Sequence, residues 1–121
     1  MDELAGKRIL FLEDEPIVAM SVEDMLVDLG ATVVGPAASI ASALTLVASE
    51  SIDAALLDIN IRGERSYPVA EVLRARNIPV VFATGYGESG WMGAPEAPVI
   101  DKPYARSQIC EALSKALLLP G

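Results

Sequence analysis

The sequence predicts an α/β protein, an open parallel sheet of five strands with helices on both faces. Three observations predict it. Short apolar runs alternate with segments of helical apolar spacing along the 121 residues. Such alternation implies crossover connections, and hence parallel strands. The runs are nearly continuous in apolar character, as in strands covered on both faces. Finally, polar residues suited to chemistry recur at the ends of these runs, at the edge where open parallel sheets bind ligands.

Each element follows in order. Lys7 to Leu12 is a short apolar run that ends in the acidic group Glu13-Asp14-Glu15. Pro16 suits the first turn of the next helix. Ile17, Met20, Val22, Met25, Leu26 and Leu29 recur near helical spacing, and Gly30 stands where a stop belongs. Thr32 to Gly35 is a second strand. Ser39 is an N-cap for a helix carrying Ile40, Ala43, Leu44 and Val47. Ala54 to Ile59 is a third strand, with Asp58 near its end. A loop with Arg62, Gly63 and Glu64 precedes a helix over 67–76, with Val69, Val72 and Leu73 inward. Pro79 to Ala83 is a fourth strand, ended by Thr84-Gly85-Tyr86-Gly87. Residues 85–98 hold four Gly and two Pro, so the fourth helix is expected to be short or irregular. Pro98-Val99-Ile100 is a fifth strand before Asp101-Lys102-Pro103. The last helix runs over 107–119, with Ile109, Leu113, Ala116 and Leu117 on one face.

Composition narrows the function. One domain spanning 1–121, with no linker and no output domain, is the expected organisation. Apolar residues make up 52% and charged residues 21%, a globular balance. No apolar run approaches the ~20 residues that cross a bilayer. Asp2 and Glu3 follow Met1, unlike a secretory signal. A cytoplasmic protein with no membrane partner is expected. There is no His, and Cys110 is the one cysteine, which excludes an internal disulfide, a Cys–His nucleophile and a zinc site of the usual kind. Seventeen acidic against nine basic residues give a net charge of −8. So acidic a chain repels phosphate backbones, which argues against direct nucleic-acid binding.

The chemistry gathers at the strand ends. Glu13 and Asp14 follow the first strand, Asp58 closes the third, Thr84 the fourth, and Lys102 follows the fifth. Taken singly, each has a duller role as a cap, turn or surface residue. Strand order is not readable from these patterns. If the first and third strands are neighbours, three carboxylates share one pocket. Two carboxylates ~4 Å apart repel by roughly 4 kcal/mol at an effective dielectric near 20. A hard divalent cation such as Mg²⁺, taking oxygen ligands, relieves that repulsion. Lys102 adds a compact positive charge and Thr84 a hydroxyl. A nucleophile, a metal, a cationic clamp and hydrogen-bond donors are the parts that phosphoryl transfer needs.

The segments ILFLEDEP, LLDINI, FATGYG and IDKPY resemble the receiver domains of two-component response regulators, from Arg8 to about Leu117. The intervals from Asp14 to Asp58, Asp58 to Thr84 and Thr84 to Lys102 agree as well. The resemblance implies a flavodoxin-like five-stranded sheet in the order 2-1-3-4-5. It implies that Asp58 is the phosphoacceptor and that Glu13, Asp14, Asp58 and the backbone carbonyl of Asn60 hold Mg²⁺. Thr84 and Lys102 would bind the phosphoryl oxygens. The implied partners are a histidine kinase or phosphotransfer protein and a downstream signalling protein. Phe82 to Tyr86 further resembles the "FAT GUY" subgroup, often single-domain proteins of alphaproteobacteria, some tied to general stress signalling and phosphorelays. Two departures stand out. Glu13 replaces the more common Asp, and Val99 stands where many receivers carry a switch Tyr or Phe. Tyr86 is the nearest candidate substitute for that switch, with Thr84; the alternative is that Tyr86 only packs on a loop.

Two other readings compete. A flavodoxin-like cofactor binder needs a Ser/Thr/Gly-rich phosphate loop after the first strand, where this chain has Glu13-Asp14-Glu15-Pro16. A pseudo-receiver would bind partners without phosphorylation; Val99 leaves room for it and the complete polar set weighs against it. A relay shuttle and a terminal regulator share the same residues.

Overall fold

The computed structural model describes residues 4–84, 99–101 and 105–118. In chain order the elements are β1 (Arg8–Leu12), α1 (Pro16–Asp28), β2 (Thr32–Ala37), α2 (Ile40–Ser49), β3 (Ala54–Asp58), β4 (Asn60–Ile61), β5 (Glu64–Arg65), α3 (Tyr67–Ala75), β6 (Val80–Thr84), β7 (Val99–Asp101) and α4 (Arg106–Leu118). Five strands form one parallel sheet in the order β2-β1-β3-β6-β7. With the small hairpin β4–β5 set aside, this is the expected order 2-1-3-4-5. β1 therefore lies directly beside β3. The segment 85–98, expected to hold a short or irregular helix, lies outside the described residues.

Strand side chains alternate between the two faces, and each face has its own core. Ile9, Phe11, Ala54, Leu56, Val81 and Ala83 pack under α1 and α4 with Ala19, Val22, Leu26, Ile109 and Leu113. Leu10, Leu12, Ala55, Leu57, Val80 and Phe82 pack under α2 and α3 with Ala43, Val47, Val69 and Leu73. Both faces of the sheet are thus covered by helices, which explains the unbroken apolar runs. None of the described helices is long and apolar enough to cross a membrane.

Helix ends follow local chemistry. Pro16 occupies the first turn of α1. The Ser39 hydroxyl accepts from the Ser42 amide at 3.1 Å, and the Ser42 hydroxyl accepts from the Ser39 amide at 3.3 Å. This reciprocal capping box opens α2. β2 continues past Gly35, whose φ of +110° no other residue adopts readily. A Cβ there would meet Ala37 N at 2.7 Å and Phe11 O at 2.9 Å, so the close approach of β2 to β1 requires glycine.

Two helix faces differ from expectation. Ile17 and Met20, expected in the apolar stripe of α1, are 82% and 66% exposed. The buried residues are Ala19, Val22 and Leu26, with Leu29 beyond the helix end. Val72, expected inward on α3, is 37% exposed, and Ala70 takes the buried place beside Val69 and Leu73. In both helices apolar residues extend well around the circumference, and each inward face includes one alanine, Ala19 or Ala70.

Candidate acidic site at the carboxyl edge

β1 and β3 end at the same edge, and each delivers an acid there. Glu13 is held by its own amide, which donates to the Ala37 carbonyl at the end of β2 at 2.9 Å. The Ile59 amide donates to the Ala83 carbonyl of β6 at 3.0 Å, which fixes the chain just after Asp58. Glu13 and Asp58 are buried, and Asp14 is half-buried. One carboxylate oxygen from each of Glu13, Asp14 and Asp58 lies within 4.8 Å of the other two. At that separation each ionised pair repels by on the order of 3 kcal/mol at an effective dielectric near 20.

Backbone amides of the described residues offset part of this repulsion, and each carboxylate accepts from at least one. The Glu15 amide donates to Glu13 Oε2 at 3.2 Å. The Arg62 amide donates to Asp14 Oδ2 at 3.0 Å. The Asn60 amide donates to Asp58 Oδ1 at 3.4 Å, a long and weak bond. Glu15 is also the N-cap of α1, so the cluster lies at the positive end of a helix.

The hairpin β4–β5 supplies two of these three amides. Asn60 pairs with Arg65 and Ile61 with Glu64, which leaves Arg62 and Gly63 as a two-residue loop. Both have positive φ, +53° and +83°, the signature of a type I′ turn. Asn60 Oδ1 accepts from the Gly63 amide at 3.1 Å and closes the turn. The residue pattern predicts only a loop here. The Arg62 contact is not legible in that pattern, because a backbone amide leaves no mark in it.

Of the residues expected at the site, Glu13, Asp14 and Asp58 are brought together. Asn60 stands two residues beyond Asp58, exposed, with its side chain engaged in the turn. The backbone of Thr84 lies at this edge: its preceding residue, Ala83, is the register partner of Asp58, and Thr84 itself pairs with Asp101. The Thr84 side chain, Tyr86 and Lys102 lie outside the described residues.

A parallel sheet in this order, covered on both faces, with acids converging at the ends of β1 and β3, is the architecture of a signalling receiver domain. Residues 9–114 match the family model for the response regulator receiver domain, and the chain belongs to that family of two-component signalling proteins. It is similar to SdrG from Sphingomonas melonis Fr1, at 45% identity and a TM-score of 0.82, covering 98% of this chain and 100% of that one. It is similar to the receiver domain of PhyR from Erythrobacter litoralis, at 30% identity and a TM-score of 0.83, covering 97% and 94%. It is 34% identical over 115 residues to the phyllosphere-induced regulator PhyR of Methylorubrum extorquens; that match takes in 90% of this chain and 43% of the other, so this chain spans less than half of that protein's length.

Proposed function

We propose that this domain is switched by phosphorylation of Asp58. One observation carries the reading: Asp58, at the end of β3, shares a buried acidic cluster with Glu13 and Asp14 at the carboxyl edge of a receiver fold. Three carboxylates gathered this closely fit a hard divalent cation with oxygen ligands. Glu13, Asp14, Asp58 and the Asn60 carbonyl would hold Mg²⁺, which when bound supplies positive charge against the phosphoryl oxygens.

The chemistry of the chain itself follows. An oxygen of the Asp58 carboxylate attacks the phosphorus of a phosphohistidine in line. The new P–O bond forms as the P–N bond breaks, and the imidazole of the donor leaves. The Lys102 ammonium and the Thr84 hydroxyl meet the phosphoryl oxygens and stabilise the charge spread over them. Movement of Thr84 toward the phosphoryl group, coupled to Tyr86, alters the 85–98 segment and with it a partner-binding face. The donor is a histidine kinase or phosphotransfer protein, and the recipient of the signal is a downstream signalling protein. The domain catalyses its own phosphorylation and dephosphorylation and turns over no metabolic substrate. SdrG has been solved in a BeF₃-activated conformation, and PhyR is described as a stress response regulator. The first supports a phosphoryl-type switch and the second a stress-signalling role.

The test is incubation with acetyl phosphate and Mg²⁺, read by intact mass. The wild type is expected to gain one phosphoryl group, Asp58→Asn none, and wild type without Mg²⁺ little. An unlabelled wild type, or equal labelling of Asp58→Asn, defeats the proposal.

A further inference from the structure

We infer that the type I′ turn at Arg62-Gly63 is a positioning device for the cation site, and that Gly63 sets cation affinity without touching the cation. The inference rests on the Mg²⁺ reading above and adds a residue to it. A chain of contacts carries it. Asp14 belongs to the acidic cluster, and its Oδ2 accepts the Arg62 amide at 3.0 Å. That amide points where it does because Arg62 has φ +53° and Gly63 φ +83°. The Asn60 side chain closes the same turn on the Gly63 amide at 3.1 Å. The Asn60 amide also meets Asp58 Oδ1, so one six-residue hairpin contacts two of the three carboxylates.

The amide on Oδ2 fixes the Asp14 carboxylate in one orientation and leaves Oδ1 uncommitted to that bond. It lowers the repulsion that the cluster bears without a cation. It also spares the side chain the ordering that binding otherwise demands. Groups that orient a metal ligand in this way typically contribute ten- to a hundredfold to affinity.

Gly63 is the place to test the device. A Cβ there meets no atom within 4 Å, so a substitution acts through backbone conformation and not through a clash. Asparagine tolerates positive φ; a β-branched residue does not. Mg²⁺ alone is titrated by calorimetry onto wild type, Gly63→Asn, Gly63→Val and Asn60→Ala, with the Arg62 amide proton shift followed by NMR. The dissociation constant is expected to stay within about twofold for Gly63→Asn and to rise about tenfold for Gly63→Val. Asn60→Ala should rise in the same direction. The Arg62 amide should move upfield, toward a free amide, in the two weakened variants alone. Equal affinities across the series, or equal weakening by Asn and Val, overturns the positioning role while the Mg²⁺ reading stands. Failure of the wild type itself to bind Mg²⁺ removes the reading and this inference together.

Discussion

Asp58 is only 5% exposed, yet it lies within 4.8 Å of two further carboxylate oxygens. Ionising a third acid in such company costs stability unless something compensates. Removing the Asp58 charge is expected to relieve the mutual repulsion of the cluster when no cation is present. Asp58→Asn, of equal size, is expected to gain about 1 kcal/mol in chelator-treated buffer, the pairwise repulsion being discounted for the half-exposed Asp14. For a domain of this length that raises the unfolding midpoint by about 4 °C. A scanning calorimetry comparison in EDTA checks it. A lower midpoint in Asp58→Asn would show that the carboxylate is net stabilising and that the cluster is not under electrostatic strain.

Two helices begin with serine, and the contrast separates a cap from an orphan. Ser39 makes both bonds of its box. Ser66, before α3, is fully buried, and its hydroxyl has no hydrogen-bond partner among the described residues. Ser39→Ala is expected to cost about 1 kcal/mol. Ser66→Ala, which deletes an unsatisfied buried hydroxyl, should be neutral or stabilising by up to about 1 kcal/mol. Urea unfolding of both variants decides; a loss above 1 kcal/mol at Ser66 would mean that its hydroxyl is satisfied. The same contrast shows what a sequence reveals at this scale. The Ser39 cap was legible because serine stands just before a periodic apolar stretch. The parallel sheet was legible because its strands, buried on both faces, leave unbroken apolar runs. The facing of α1 was not: Ile17, Val18, Ala19, Met20 and Val22 nearly encircle its first turns, so spacing alone could not choose between the Ile17–Met20 side and the Ala19–Val22–Leu26 side. The hairpin was hidden for a related reason. Arg-Gly is a weaker signal for its turn type than Asn-Gly, and its strands are two residues each. At the site, Glu13, Asp14 and Asp58 were readable because strand ends are marked by the loss of apolar character. The amides that steady them belong to the backbone and are invisible in a residue string.

The whole chain carries a net charge of −8, so self-repulsion destabilises the compact state everywhere and most sharply at the acidic edge. Two kinds of ion relieve it by different routes. Sodium chloride screens the distributed charge, with a Debye length of about 10 Å at 0.1 M. Magnesium does the same and, on the reading proposed above, also binds at one place. A ligand at ten times its dissociation constant adds about 1.4 kcal/mol to stability if it binds the folded state alone. At matched ionic strength, MgCl₂ should therefore raise the wild-type midpoint several degrees beyond NaCl, on the order of 5 °C. The general component should survive in Asp14→Asn, since one charge in eight changes screening little. The excess due to Mg²⁺ should vanish there, because Asp14 supplies one corner of the cluster and accepts the Arg62 amide. Thermal melts of wild type and Asp14→Asn in the two salts separate the routes. Superimposable MgCl₂ and NaCl curves for the wild type would reduce the acidic edge to a diffuse field with no specific cation, and would take the proposed switch chemistry with it.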